Sequence, residues 1–596
     1  MAKFYRNIIM KRISLFLLLV ISALSISCDD FLDKQPDDML TIDAVFTTRL
    51  EVEKYLANVY SYLPDPADPY ANFTPVSDEG DFVWTSIGAN SINTGNWGPT
   101  SIPYDRYAYY YKGIRAASVY INSVEKCAEC EGVTAGINIR TKAEARALRA
   151  YYYFLLLRQY GPIVLLPTII PVDASNAETT KPRNSYDECV KYIVDELDLA
   201  SKDLPTVTAN VIDYGRVDKR TALAIKARVL LYAASPLFNG NNQDFSTFKN
   251  SDGKALISNA YDINKWKLAA DASKALIDLM PNGLYKKQDA AGNLDPFASY
   301  RDVFIDRWNT EIIWARPSSG TNNWTIHAAP RQMKGWNGLG VTQQMVDAYH
   351  MANGKRIDEA GSGYVETGLS TTDTKYTKAL DWNMYLNREP RFYVSILYNH
   401  DTWVFTGASG TPIQLYATGA SGKNGSHDHT ETGYLLTKFV SPNSDVPNNR
   451  YTTQSWVYFR LAEMYLNYAE ALNEYSPNSA DIAKYVNLVR ERAGIPALPT
   501  GLSQAEMRER IRHERRIELA FEEHRLFDVR RWKIAESTQG GSMYGMNVSK
   551  GTSFTDTEFY QRAVFETRVF EKKHYFWPIP QSEIDRNKQM VQNPGW

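Results

Sequence analysis

The chain has 596 residues, 44% of them hydrophobic, 22% charged and 13% aromatic, the balance of a globular protein with a large core. Its 66 Lys and Arg nearly cancel its 68 Asp and Glu, and no basic stripe interleaved with aromatics replaces a net field, so nucleic acid is excluded as an expected partner. The 39 Tyr and 13 Trp exceed what one core needs, which predicts flat amphipathic rings at surfaces and interfaces.

Residues 1–27 read as a secretory signal peptide: Lys3, Arg6, Lys11 and Arg12 precede an apolar run from Ile13 to Ile26 and small residues before Cys28. Leu24-Ser-Ile-Ser-Cys28 resembles a bacterial lipobox, with Ser25 where a branched residue is usual, and predicts lipidation of Cys28. Acyl chains on that Cys would hold the protein at a membrane through buried methylenes. Asp29 and Asp30 resemble the surface-export signal of Bacteroidetes lipoproteins, which implies an outer-membrane location facing the cell exterior. No later segment reaches 18 consecutive apolar residues. Cys127-Ala-Glu-Cys130 reads as a local disulfide or two idle thiols, because zinc lacks further ligands nearby and a thioredoxin-like pair would follow a strand, whereas a helix precedes this one.

A first helix is predicted over Asp43–Leu63, ended by Pro64, Pro66 and Pro69, followed by a loop from Asn72 to Tyr104 that contains Trp84 and Trp97. Helices follow over Tyr104–Val124, from a capping box at Thr141-Lys-Ala-Glu144 to Gly161-Pro162, from a second box at Ser185-Tyr-Asp-Glu188 to about Lys202, over Arg216–Phe238 and over Trp266–Met280. From Tyr285 to Tyr451 the helical period fades into loops with short strand-like pieces such as Glu311–Trp314 and Phe392–Leu397. It resumes at Trp456–Leu472, Asp481–Arg492 and Ser503–Trp532. The last, opened by a box at Ser503 and Glu506 and free of Pro and Gly, interleaves Arg and Glu at three- and four-residue spacings and is predicted to be one long packing and ion-pair element. The expected fold is mainly α, a single domain over 28–596: paired tetratricopeptide-like helices over roughly 40–280 and 456–535 flank a loop-rich, ligand-binding insertion at 285–451 with short strands.

Several segments together resemble the SusD/RagB family: Cys28-Asp-Asp-Phe-Leu-Asp-Lys-Gln-Pro36, Ala143–Phe154 with Tyr160-Gly-Pro162, Ala222–Tyr232, Arg460–Glu470, Val486–Gly494, the Ser503–Trp532 stretch, Trp577-Pro-Ile-Pro580 and Gln592-Asn-Pro-Gly-Trp596. The family usually ends in Tyr, where Trp596 stands here. The resemblance implies a lipoprotein that captures oligosaccharide or polysaccharide and closes as a lid over a SusC-like TonB-dependent transporter. Family members for peptide cargo also exist.

The enzyme readings find little support. A phosphate loop fails at Ala417 and Asn424, and neither a Gly-x-Ser-x-Gly elbow nor a His-Glu-x-x-His motif occurs. His427-Asp428-His429 with Glu431 has metal-ligand chemistry, but alternating His in a Gly/Ser-rich loop ordinarily faces water, and no metal, cofactor or catalytic residue is expected. The carboxylates Glu514, Glu518 and Glu522 each have an Arg three or four residues away that would keep them ionised. A lipid-anchored glycoside hydrolase stays the alternative, since its carboxylate pair needs only spatial proximity, and an adhesive surface lipoprotein is a third reading. Sugar binding needs aromatic faces for C–H patches and polar groups for hydroxyls. The predicted glycan-binding residues are Trp84 and Trp97 with Asp81 and Asn96 in the first loop, and Trp324 and Trp336 with Arg331 in the insertion, Trp84 and Trp324 foremost. Asp78, Asn90, Asn322, Asn323 and His327 are their polar companions.

Overall fold

The computed structural model describes residue 10 and residues 42–132, 137–171, 173–208, 210–317, 321–407, 410–424 and 427–596. Apart from Met10, the predicted signal peptide, Cys28 and the acidic pair after it lie outside the described residues. In chain order the longer helices of the first half are α1 (Arg49–Tyr60), α2 (Tyr107–Ser123), α3 (Ile137–Tyr160), α4 (Tyr186–Asp203), α5 (Lys219–Ala234) and α6 (Asn264–Ile277). From α2 onward each packs on the next, giving the helical-pair stack expected of a mainly α chain. In α3 every residue from Ala147 to Leu157 is buried, because this helix has neighbours on all sides. The Ser185 box caps α4 as predicted: Glu188 N–H donates to Ser185 Oγ (3.3 Å) and Ser185 N–H to the Glu188 carboxylate (2.8 Å). The Thr141 box does not form. The helix starts one turn earlier, and the Thr141 hydroxyl donates back to Ile137 O (2.9 Å) from inside it.

The strands of the described residues form four two-stranded antiparallel sheets. They are β1 (Gly80–Phe82) with β3 (Leu339–Val341), β2 (Ile312–Arg316) with β6 (Trp456–Arg460), β4 (Ile396–Leu397) with β5 (Leu435–Leu436), and β7 (Gly541–Met546) with β8 (Arg562–Arg568). Between β2 and β3 lies α7 (Thr321–Ala328). The helix predicted over Trp456–Leu472 thus begins as a strand: the aromatic run Trp456-Val-Tyr-Phe459 pairs with β2, and α8 begins only at Leu461, running to Tyr475.

After α9 (Ala480–Arg492), the long helix predicted over Ser503–Trp532 is broken into α10 (Gln504–Glu518) and α11 (Arg525–Arg531). No Gly or Pro breaks it. Phe521 and Glu523 take left-handed backbone (φ 64° and 62°), held there by distant partners. Phe521 N–H donates to Glu79 (3.3 Å), Phe73 N–H donates to Glu523 (2.9 Å), and Arg460 and Lys438 both bind Glu522. Two ion pairs keep the expected three-residue spacing, Glu509 with Arg512 (3.4 Å) and Asp528 with Arg531 (2.8 Å), but the buried network joins segments. Glu518 accepts from Arg391, Arg460 and Arg492, Glu514 from Arg391 (2.7 Å) and Arg490 (3.0 Å), and Glu311 from Arg460 (2.8 Å) and Arg492 (3.0 Å). All seven side chains are buried.

The C-terminal signature is cement. Asn593 donates to Tyr160 O (2.9 Å) and Trp577 O (2.6 Å), Arg183 donates to Asn593 Oδ1 (2.7 Å), and the Trp596 indole donates to Phe576 O (3.0 Å). Cys127 and Cys130 are joined as a disulfide, while Cys189 is a buried free thiol whose pKa burial pushes up to about 12. No helix among the described residues is long and apolar enough to cross a membrane.

Candidate functional site

The short β1–β3 pair brings two distant loops together. Its ladder continues as Val83 N–H donates to Gly338 O (3.2 Å), which sets Trp84, just after β1, beside the α7–β3 loop that carries Trp336. Residue 338 must be Gly: a Cβ there would lie 1.6 Å from Trp84 Cη2.

At the centre stands His327, in the last turn of α7 and fully buried. Its Nδ1 lies 2.7 Å from Asn323 O, which can only accept, so Nδ1 carries the proton and Nε2 accepts from the Tyr70 hydroxyl at 3.2 Å. Burial lowers the His327 pKa, which favours this neutral form. Three rings surround the imidazole edge to face: Trp336 at 4.4 Å, Trp84 at 4.6 Å and Tyr70 at 5.5 Å between centroids. Tyr70 is 48% exposed and Trp336 40%, and Trp84 is half-buried between its neighbours. The result is a solvent-facing patch of amphipathic rings whose orientations are set by one hub, the chemistry required to stack on sugar C–H faces.

The loop bearing Trp336 is pinned from below. Arg331 donates to Gly422 O (2.7 Å), Asp428 O (2.8 Å) and Ala420 O (3.0 Å), while Asn337 accepts from Arg331 N–H (2.9 Å) and donates to Ser421 O (3.0 Å). Arg331 therefore spends its donors on loop carbonyls, whereas the sequence suggests that they meet sugar hydroxyls.

Of the predicted site residues, the structure brings Trp84 and Trp336 together and sends others elsewhere. Trp324 is fully buried, packed against Trp456 (5.0 Å), Phe439 (5.7 Å) and Phe82 (6.3 Å), because its side of α7 faces the core. Trp97 is 8% exposed and packs on Trp596 (4.6 Å) and His574 (5.2 Å), a contact made by the returning C-terminus. Asn96 is exposed in the turn before it, its N–H on Ser91 O (2.9 Å). Asp81 alternates to the opposite face of β1 from Phe82, 3.9 Å from Arg568. Burial and the nearby Glu566 and Glu431 raise its pKa to about 7, with Arg568 opposing them. Asp78 is tied to Arg525 (2.7 Å) and Arg516 (2.8 Å). His427 is exposed 3.1 Å from Asp428, and His429 lies 2.9 Å from Glu431, with no cluster of three metal-ligating side chains among the described residues. Tyr70 was legible only as one of a surplus of Tyr, in a Pro-rich stretch that reads as a helix terminator.

Residues 303–596 match the family described as "SusD family", and residues 30–231 one described as "Starch-binding associating with outer membrane". A SusD-like protein of Bacteroides ovatus is 24% identical over 520 residues, 81% of this chain and 80% of its own length. SusD-like protein P2 of Formosa agariphila is 33% identical over 157 residues, a match spanning 25% of this chain and 27% of that protein. The solved structure of BT4246 superposes with a TM-score of 0.80 at 26% identity, covering 92% of this chain and 100% of that one.

Proposed function

The chain belongs to the SusD/RagB family, and on that premise we propose that it is a non-enzymatic glycan-binding lipoprotein. It is anchored through Cys28 to the outer membrane, faces the exterior, and hands oligosaccharide to a SusC-like TonB-dependent transporter that it covers as a lid. The observation that carries the binding part is the ring patch on His327. A pyranose laid on Trp336 or Tyr70 buries its C–H face, and its edge hydroxyls stay in reach of water and loop carbonyls. Neutral His327 holds the rings without presenting a charge to an uncharged ligand.

Electrophoresis through gels containing starch and other polysaccharides tests this. The wild-type protein is expected to be retarded in at least one gel, and Tyr70→Ala and Trp336→Ala to be retarded clearly less there while keeping their helical circular dichroism. Retardation equal to wild type in both variants would overturn the site. Release of reducing ends from the retained polysaccharide would replace the binder with the hydrolase reading. Co-purification of a large outer-membrane barrel tests the transporter, and a protein that binds peptides but no polysaccharide would redirect the cargo.

A further inference from the structure

A cavity of about 650 Å³ shares no lining residue with the ring patch. The β7–β8 ribbon links the two places. At one end Arg568 donates to Ser77 O (2.6 Å) and Gly80 O (3.0 Å), at the strand that leads into Trp84. At the other, Arg562 lines the cavity, about 20 Å away at roughly 3.3 Å per strand residue.

The cavity has an aromatic wall and a neutral polar rim. Trp382 and Tyr560 stack on each other at 4.3 Å and 4°, and Leu369 adds to the apolar lining. The Trp382 indole N–H, buried in that wall, has no acceptor among the described residues. Arg562 is clamped by Glu366 (2.7 Å) and Asp347 (2.5 Å), so its charge is already answered and the cavity offers no free cation. The exposed side chains of Thr367, Thr557 and Gln561 supply hydroxyl and amide groups around the mouth. An anion would find no uncompensated cation, and a wholly apolar ligand would strand the rim. An uncharged polyhydroxylated ring suits both the wall and the rim.

We propose that this cavity is a second carbohydrate subsite, binding neutral hexose units separately from the ring patch. The proposal rests on the glycan-binding reading above, and its consequence is two-point attachment. A chain long enough to occupy both places gains from effective concentration, and a disaccharide does not.

The test uses the polysaccharide that retards wild-type protein, and its disaccharide. Thr557→Ala combined with Gln561→Ala, both at exposed positions, is expected to weaken polysaccharide binding about tenfold and leave disaccharide binding at the ring patch unchanged. A Trp84→Ala, Trp336→Ala protein is expected to keep a residual retardation that the added cavity substitutions remove. Cavity variants that bind the polysaccharide as wild type does, with the Trp variants inactive, would sink the second subsite and leave the ring patch standing. Full binding by the Trp variants, lost only on changing the cavity, would sink the ring patch instead. Wild-type protein that binds no polysaccharide overturns both. Crystals soaked in the retained oligosaccharide give an independent measurement, in which an empty Trp382–Tyr560 cavity counts against the proposal.

Discussion

The buried charge network around Glu518 and the exposed rings around His327 reverse the usual expectation of which residues carry function. Arg391, Arg460 and Arg492 converge on carboxylates that no solvent reaches, so the groups most like a catalytic centre hold the fold together. Tyr70 and Trp336 are 48% and 40% exposed and free to meet a ligand. In the first region a deleted side chain strands a charge. In the second, at Trp336, it removes an exposed ring and strands no charge.

The largest effect is expected at Arg460. Arg460→Ala leaves Glu518, Glu311 and Glu522 short of a partner, and should cost about 5 kcal/mol or prevent folding, as read by chemical denaturation. Arg525→Ala strands Asp78, which keeps Arg516, so about 3 kcal/mol is expected. Either protein, if folded, should still bind glycan, and a variant of normal stability without binding would erase the distinction. Trp336→Ala should do the reverse: about a tenfold to thirtyfold weaker Kd by calorimetry, with stability within about 0.5 kcal/mol of wild type. A large stability loss there would make the ring patch part of the core.

The last effect is one of slope with pH. The Arg partners hold Glu518 at about 2 against an ordinary 4.5, despite burial that works the other way. Between those values the unfolded chain binds more protons, so this contribution is complete above about 4.5 and fades as pH falls toward 2. Glu79 behaves oppositely. Burial and the neighbouring Asp78 raise it to about 8, so the folded chain binds more protons between 4.5 and 8 and loses stability as pH rises across that window. Glu79→Gln should flatten the decline in denaturation curves, and an unchanged slope would show that Glu79 ionises normally.

Much of the scaffold was legible locally. The boxes at Ser185 and Ser503 form because a hydroxyl and a carboxylate three residues apart satisfy free N–H groups whatever lies beyond. The Thr141 box failed because nothing in four residues says whether the preceding turn is also helical. Among the candidate ligand residues, Trp84 and Trp336 were readable as aromatics in loops, but Trp324 and Trp97 fit the same description and are buried.

By itself, then, the sequence determined the helical-pair class and the family membership, since capping, 3.6-residue periodicity and motif order are properties of neighbouring residues. Only the tertiary structure decided that α10 ends at Glu518, that Trp456–Arg460 is a strand, and that His327 gathers Tyr70, Trp84 and Trp336 while Trp324 turns inward. Each of those outcomes depends on partners far away in the chain: Glu79 reaches Phe521, Ile312 pairs with Arg460, and Tyr70 meets His327. Burial and register are sums over such partners, and no local window contains them.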